Sequence, residues 1–453
     1  DEEGRFTGFD VVIGNPPYMR IQYLKRSDKF LAEYYKKTYK SGSKGNFDIY
    51  ALFVEKGLDL INENGMVNFI LPHKFFSTNY GQPLRRLISE NKYLNRIIHF
   101  QDIQIFDEAS TYVCLLTLTK RKNWKSYIEY VDNLDYWING NSINGGWIKE
   151  KYINDDNWNF VVGYGSDIFY RLDKFQKLGS IVDIFVGLQT SADTVFLFKN
   201  SKLSNNEITE IESKNLNKKV LLESELLKKV VRSGKVGRYW AYPNALVLFP
   251  YEKRDNKIKL IEQAKMKKKY PNAWKYLLEN KTKLENRESG KFKGKGWYQL
   301  YPKNLGKWIK EKVLIPYMVQ RLAAVPDNNS LYFVNVTTGG FGIRSESEKY
   351  SHYLLTGILN SKLLDWFFKN VSTNFRGGYY AANKQYIEQL PIVDSTNDNK
   401  KQIESLVDQI LTAKKDNPEA DTMKMEAEID QLVYELYGLS EEEIGIIEET
   451  VGV

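Results

Sequence analysis

Asp10-Val11-Val12-Ile13-Gly14-Asn15-Pro16-Pro17-Tyr18 couples a short apolar run to a loop stiffened by two prolines and closed by an aromatic. The run Phe9 to Gly14 reads as a strand of the buried parallel type, and the prolines stop it without leaving a floppy connection. In open α/β sheets, ligand chemistry gathers at the carboxyl ends of strands, where this loop falls. Working outward, Asp48 to Ile61 has helical period, and Gly65 stands where that helix ends. Met66 to Leu71 is a second strand, ended by Pro72. Leu84, Leu87 and Ile88 mark another amphipathic helix ahead of strands at Arg96 to Phe100 and Tyr112 to Thr119. The alternation predicts an α/β fold, with half of a doubly wound, Rossmann-like sheet that begins in its middle.

The 453 residues and 42% hydrophobic content exceed one compact core, so several domains are expected. Residues 1–125 form the sheet region and 126–175, rich in Trp, Asn and Tyr, a connecting segment. Residues 176–393 carry short strand-like runs, among them Ile181 to Val186, Val195 to Phe198, Ala245 to Phe249, Val313 to Pro316 and Leu331 to Val336, expected of a mixed α/β recognition domain. Residues 394–453 hold Ile403 to Leu411 and Met425 to Leu436, which predict a helical hairpin. One cysteine, Cys114, excludes an internal disulfide framework, and no Cys/His cluster offers a metal site. A polar N-terminus and the lack of an 18-residue apolar run predict a cytoplasmic chain that spans no membrane.

The net charge of +8 is unevenly spread. Residues 251–330 carry 20 Lys/Arg against 8 Asp/Glu, interleaved with Trp274, Trp297, Tyr298, Tyr301 and Trp308. Residues 394–453 carry 5 against 16. The basic, aromatic stretch suits phosphate neutralisation and base or sugar contact, and the acidic tail should avoid a polyanion.

Asn and Pro both favour turns, so the Asn15–Tyr18 loop taken alone is equally a turn and a site. As a site it has defined chemistry. The Asn15 side-chain oxygen and the Pro16 carbonyl can accept hydrogen bonds from an exocyclic amine, drawing its lone pair out of ring conjugation, while Tyr18 stacks on the base. The loop resembles the catalytic motif of amino-methyltransferases, and about 120 residues follow the order of the gamma class of adenine-N6 DNA methyltransferases. The resemblance implies a methyl transfer from S-adenosylmethionine in which Asn15, Pro16, Pro17 and Tyr18 are catalytic. Gly45-Asn46-Phe47-Asp48-Ile49-Tyr50-Ala51-Leu52-Phe53-Val54-Glu55 resembles a further family motif, whose aromatic, here Phe53, lies on the cofactor's adenine beside Asn15. Asn64 to Pro72 resembles a structural turn and strand. Ile105 to Val113 resembles the motif whose aromatic, here Phe106, stacks on the flipped base opposite Tyr18.

Residues 176–393 resemble the TaqI-like specificity domain of type IIG restriction-modification proteins, which implies double-stranded DNA as partner. Gly187-Leu188-Gln189-Thr190 with Asp193, and Gly357 to Leu363, carry that likeness with Val230 to Lys235, Arg238-Tyr239, Arg376 to Tyr380, Lys384 and Leu390-Pro391-Ile392. It implies DNA contacts by Arg232, Lys235, Arg238, Arg376, Gly377, Gly378, Tyr379 and Lys384. A glycine pair lets a backbone approach DNA closely. The family's glycine-rich cofactor motif is absent ahead of Asn15, so the expectation is a fragment of a longer polypeptide, inactive alone, whose N-terminal half holds the main cofactor site. Triplets such as Glu212-Ser213-Lys214 occur without a Pro-Asp partner, and no nuclease is visible. Two alternatives stay open: a DNA-binding specificity module in which the loop is a relic, and a protein-glutamine methyltransferase. Loss of methylation on replacing Asn15, and competition by duplex DNA, discriminate them. His73, His99 and His352 are scattered and read as structural.

Overall fold

The computed structural model describes residues 2–451 except 107–110, 142, 143, 164, 200, 201, 233, 256, 335–338, 373, 376, 395, 396 and 416. The chain divides into two compact units, residues 1–172 with 374–376, and residues 173–373 with 377–453.

The first unit is built on a six-stranded sheet of β1 (Phe9–Gly14), β2 (Ile61–Pro72), β3 (Leu94–His99), β4 (Val113–Thr119), β5 (Lys125–Tyr130) and β6 (Asn144–Lys149), in the order β1-β2-β4-β3-β5-β6. β1 runs parallel to β2, with Val12 opposite Val67, and β3 runs parallel to β5. β4 is antiparallel to both its neighbours. The period-2 pattern of the strands sorts their side chains onto two faces. On one face Val67, Phe69, Leu71, Ile97, Leu116 and Leu118 pack with Tyr50, Val54 and Leu58 of α3 (Tyr50–Leu60) and with Leu84 and Ile88 of α4 (Gln82–Glu90). On the other, Ile98, Phe100, Val113 and Val131 make a smaller cluster with Ile70 and Leu115. Gly65 allows β2 to pass β1, because a Cβ there would stand 2.6 Å from the Phe9 carbonyl oxygen. A short helical pair, α1 (Ile21–Ser27) and α2 (Lys29–Thr38), follows the Asn15–Tyr18 loop and closes on a satellite core of Ile21, Ala32, Phe47 and Leu52.

β5 and β6 lie where the sequence suggested a mere connection. Their alternation is short, and Gly145-Gly146 interrupts the apolar signal of β6. Trp158 and Phe160, from the same stretch, enter the main core against Phe75 and Phe76.

In the second unit, one four-stranded sheet joins Tyr332–Phe333, Leu227–Val231, Ala245–Leu248 and Leu197–Lys199, and another joins Val325–Asp327, Lys312–Pro316, Gly340–Arg344 and Asp183–Val186. Val195 and Phe196 close a helical turn, Asp193–Phe196, instead of starting a strand. The C-terminal pair of helices, Asn397–Lys414 and Met423–Leu436, is followed by a third, Glu441–Val451.

Four of the five aromatics singled out in 251–330 are core, and the fifth, Tyr301, is half-buried. Trp274, Trp297, Tyr298 and Trp308 are all buried, and they share one core with Phe249, Tyr251, Leu277 and Leu300. Tyr298 donates to the Ile261 carbonyl, and Trp308 to that of Val186 at 3.2 Å. Their rings are needed because the helices Gln263–Lys269 and Pro271–Glu279 are short and offer few aliphatic side chains. Arg287, also buried, donates to the carbonyls of Leu284, Thr190, Trp297 and Gln299, which ties three segments together.

Candidate active site

β1 ends at Gly14, and the loop that follows leaves the sheet at its carboxyl end. Asn15 and Pro17 are exposed and Pro16 is buried. Among the described residues, neither the exposed Asn15 carboxamide nor the Pro16 carbonyl makes a hydrogen bond, so both acceptors are uncommitted. Tyr18 turns back: its hydroxyl donates to the Ile70 carbonyl of β2 at 3.1 Å, and burial pushes its ionisation up to about 12. The ring is a fixed, neutral platform.

The loop's exit is fastened to the start of α3. Ile49 N–H donates to the Met19 carbonyl at 2.8 Å, and Ile21 N–H donates to the Phe47 carbonyl at 3.0 Å. The buried Asp48 carboxylate accepts from the Tyr80 hydroxyl at 3.1 Å, and burial raises its pKa above the usual carboxylate range. That clamp relates α3 to the loop. Phe53, on a helix whose Tyr50, Ala51, Leu52 and Val54 are buried, is 45% exposed. A core aromatic in such a helix would be covered, so Phe53 is presented for some other purpose.

Phe106 is half-buried on the segment after β3 and packs on the same apolar cluster as Tyr18, built on Ile98, Phe100, Val113 and Val131. The structure therefore places two aromatics 88 positions apart in the chain on one apolar cluster. The rest of the Phe106 motif, residues 107–110, lies outside the described residues.

A supporting pair was invisible in the sequence. His73, just past β2, and His99, ending β3, stack with ring centroids 4.4 Å apart. Burial lowers the pKa of His73 to about 4 and drives that of His99 well below its ordinary value, so both rings are neutral near pH 7. His99 Nδ1 accepts from Gln101 N–H at 2.8 Å, and the Gln101 side chain reaches Asp132. Gln104 Nε2 donates to the Phe106 carbonyl at 3.1 Å. The first two bonds fix the turn after β3, and the third holds the backbone at Phe106. Only the order β2-β4-β3, which places the two strand ends one strand apart, could have signalled the pair.

In the second unit Lys235 is exposed in the turn before a two-residue hairpin, and Arg232 N–H is held by the Asn244 side chain at 2.9 Å. Arg238 differs from the expectation. It donates to the Asn360 carbonyl and pairs with Glu426 at 2.6 Å, so it joins a loop to the C-terminal helices instead of facing solvent as a free cation. Gly377 and Gly378 have φ of +81° and +71°, a backbone that side chains disfavour, and make a turn presenting the exposed Tyr379. Lys384 is exposed beside them in the sequence, at the start of the helix Lys384–Ile387. Arg376 lies outside the described residues. Among the described residues no group of three His, Cys, Asp or Glu side chains could hold a metal, and no helix is long and apolar enough to cross a membrane.

Residues 2–106 match the family model of the Eco57I restriction-modification methylase, and residues 258–392 match that of the TaqI-like C-terminal specificity domain. The type II restriction enzyme and methyltransferase RM.Eco57I of Escherichia coli is 28% identical over 416 residues, 87% of this chain and 41% of that protein. This chain is homologous to type II restriction-modification methyltransferases. The type II methyltransferase M.BstVI of Geobacillus stearothermophilus is 22% identical over 477 residues, 98% of this chain and 76% of that one. The type IIL restriction-modification enzyme MmeI, solved in complex with DNA, shares the fold, with a TM-score of 0.61 at 15% identity over 98% of this chain and 57% of its own. The methyltransferase homologue thus spans less than half of its Escherichia coli relative.

Proposed function

We propose that this chain is the target-base and DNA-recognition part of an adenine-N6 DNA methyltransferase of a restriction-modification system, and that it belongs to a longer cytoplasmic polypeptide. The observation that carries this reading is the pair of free acceptors, Asn15 Oδ1 and the Pro16 carbonyl, at a strand end flanked by Tyr18 and Phe106 on one apolar cluster. In this role the two oxygens accept the hydrogen atoms of an exocyclic amine and leave its lone pair directed away from the ring. Tyr18 and Phe106 hold the two faces of the extruded base, which offsets part of the unstacking cost of a few kcal/mol. Pro16 and Pro17 keep the acceptors in place without ordering on binding.

The residues present fit S-adenosylmethionine in one respect, the uncovered Phe53 ring on the helix clamped to the loop. Phe53 would lie on the cofactor's adenine, with Asn15 at the boundary between cofactor and base. When bound, the cofactor would supply an electrophilic methyl group, and Asn15 Oδ1 and the Pro16 carbonyl would orient the amine lone pair toward it through hydrogen bonds from the amine. β1 is the outer strand of its sheet, and Phe9, Val11 and Ile13 are 52%, 58% and 77% exposed. Parallel-paired strands such as β1 are ordinarily covered on both faces, which supports a further part of the same polypeptide packing there and holding the rest of the cofactor.

Recognition contacts are assigned to Arg232, Lys235, Arg376, Gly377, Gly378, Tyr379 and Lys384 of the TaqI-like region. Residues 1–172, which share one sheet and its core, are assigned to catalysis, 176–393 to target recognition and 394–453 to helical support. The test is product analysis. Incubating the longer protein with labelled S-adenosylmethionine, duplex DNA and a glutamine-containing protein substrate should place label on adenine N6 alone. Label on glutamine, with duplex DNA neither labelled nor inhibitory, would replace this reading with the protein-modifying one.

A further inference from the structure

The α1–α2 pair follows the Asn15–Tyr18 loop after two residues, Met19 and the bridging Arg20. Residues 20–44 contain eight Lys/Arg (Arg20, Lys25, Arg26, Lys29, Lys36, Lys37, Lys40, Lys44) against Asp28 and Glu33, a balance of +6. The pair's own core needs only Ile21, Ala32, Phe47 and Leu52, with Leu24, Tyr35, Tyr39 and Tyr80 packed around them. Three aromatics take no part in it. Tyr23 is 60% exposed, and Phe30 and Tyr34, four positions apart on one face of α2, are 81% and 51% exposed.

The cations are equally uncommitted. Among the described residues Lys25, Arg26, Lys36 and Lys37 have no carboxylate partner, and the pair's own ion pair is Lys29–Glu33 at 4.0 Å. Their positions in the last turns of α1 and α2 complement the helix dipoles, which explains cations there but not the bare rings beside them. A solvated face has no use for Phe30. A protein partner is ill matched by four unpaired cations, because desolvating charge without a partner is costly. A duplex supplies phosphates for the cations and sugar or base faces for the rings.

We infer that α1 and α2 form a second DNA-contacting element, which grips the duplex beside the extruded base through Lys25, Arg26, Lys36 and Lys37 and lays Phe30 and Tyr34 against its sugars or groove. The inference rests on the DNA reading given above and extends it to a surface outside the recognition region. Three residue steps from Tyr18 to Ile21 reach at most about 11 Å, so the element begins within that distance of Tyr18, and a base held at Tyr18 brings its flanking phosphates to the element. Met19 and Ile21 are pinned to Ile49 and Phe47, so the position is set before DNA arrives.

The test uses this full chain and a labelled 30-base-pair duplex in fluorescence anisotropy, over a range of salt from about 50 to 200 mM. The fourfold variant K25Q/R26Q/K36Q/K37Q should lower the slope of log K against log salt by about 2 to 4, since each lost phosphate contact removes about 0.9. Its affinity at the lowest salt should fall at least tenfold, while the arginine variant K25R/K36R/K37R keeps both slope and affinity. F30A/Y34A should weaken binding several-fold with the slope unchanged. Thermal unfolding of each variant at the wild-type midpoint verifies that the fold is intact. Wild-type binding matched in slope and affinity by the fourfold variant would overturn the inference and leave this face to a protein partner. A wild-type chain that binds no duplex at low salt would overturn the DNA reading itself, a result distinct from the first.

Discussion

Two stretches of this chain are rich in lysine and aromatic residues, and they use them in opposite ways. In residues 251–330 the rings of Trp274, Trp297, Tyr298 and Trp308 are core, and many of the cations are answered: Lys265 by Glu252, Lys269 by Glu225, Lys307 by Asp183, and Lys312 by Asp327 in full burial. In residues 20–44 the rings of Tyr23, Phe30 and Tyr34 are bare, and Lys25, Arg26, Lys36 and Lys37 are unpaired. Composition is a poor guide to a nucleic-acid surface when a unit lacks long amphipathic elements, because short helices recruit aromatics to fill their core. What marks a surface is the combination of unpaired charge and uncovered ring.

Stability measurements separate the buried rings from the bare ones. Trp308→Ala, at a fully buried ring, should destabilise the second unit by about 3–5 kcal/mol, read in chemical denaturation. A loss near zero would mean the ring is not core. For the first unit, acid is the probe. His73 has a folded pKa of about 4 against an ordinary 6.5, so the unfolded chain binds its proton first as pH falls. Its contribution is therefore complete above pH 6.5 and is lost between 6.5 and about 4, at most about 3 kcal/mol. His99 shifts in the same direction and adds to the effect. Replacing His73 by Phe should flatten that pH dependence, and an unchanged profile would remove the stacked pair from the account.

Arg287→Met should cost about 2–3 kcal/mol, because it leaves buried carbonyls of three segments without their donor. A neutral result would show the guanidinium to be replaceable by packing. At the small end, Phe30→Ala should change stability by no more than about 0.5 kcal/mol, as expected at an exposed position. A larger loss would place Phe30 in the fold and weaken the comparison at its root.

The sheet region was legible because period does the sorting: β1, β2, β4 and α3 carry apolar residues at spacings that only one secondary structure can bury on one side. The Asn15–Tyr18 loop stood out because its residue types carry chemistry, whereas Phe106 was linked to Tyr18 only through the family resemblance; in the fold both pack on one apolar cluster. β5 and β6 escaped because they are six residues each and broken by polar and glycine positions. Arg238 was misjudged because its acceptors, Asn360 and Glu426, lie 122 and 188 positions away. No local pattern announces such a pair. The His73–His99 stack was hidden for the same reason, since it depends on strand order.

The claim on which everything else depends is that Asn15 and Pro16 hold a base amine between Tyr18 and Phe106. Single-turnover methyl transfer to duplex DNA by the longer protein, measured with Asn15→Ala beside binding of the same duplex, tests it most directly. The account predicts that transfer falls by at least about a hundredfold, the usual scale for losing a preorganised polar group at the reacting centre, while the duplex is bound as tightly as before. Transfer at the wild-type rate by Asn15→Ala would contradict it and reduce the loop to a turn.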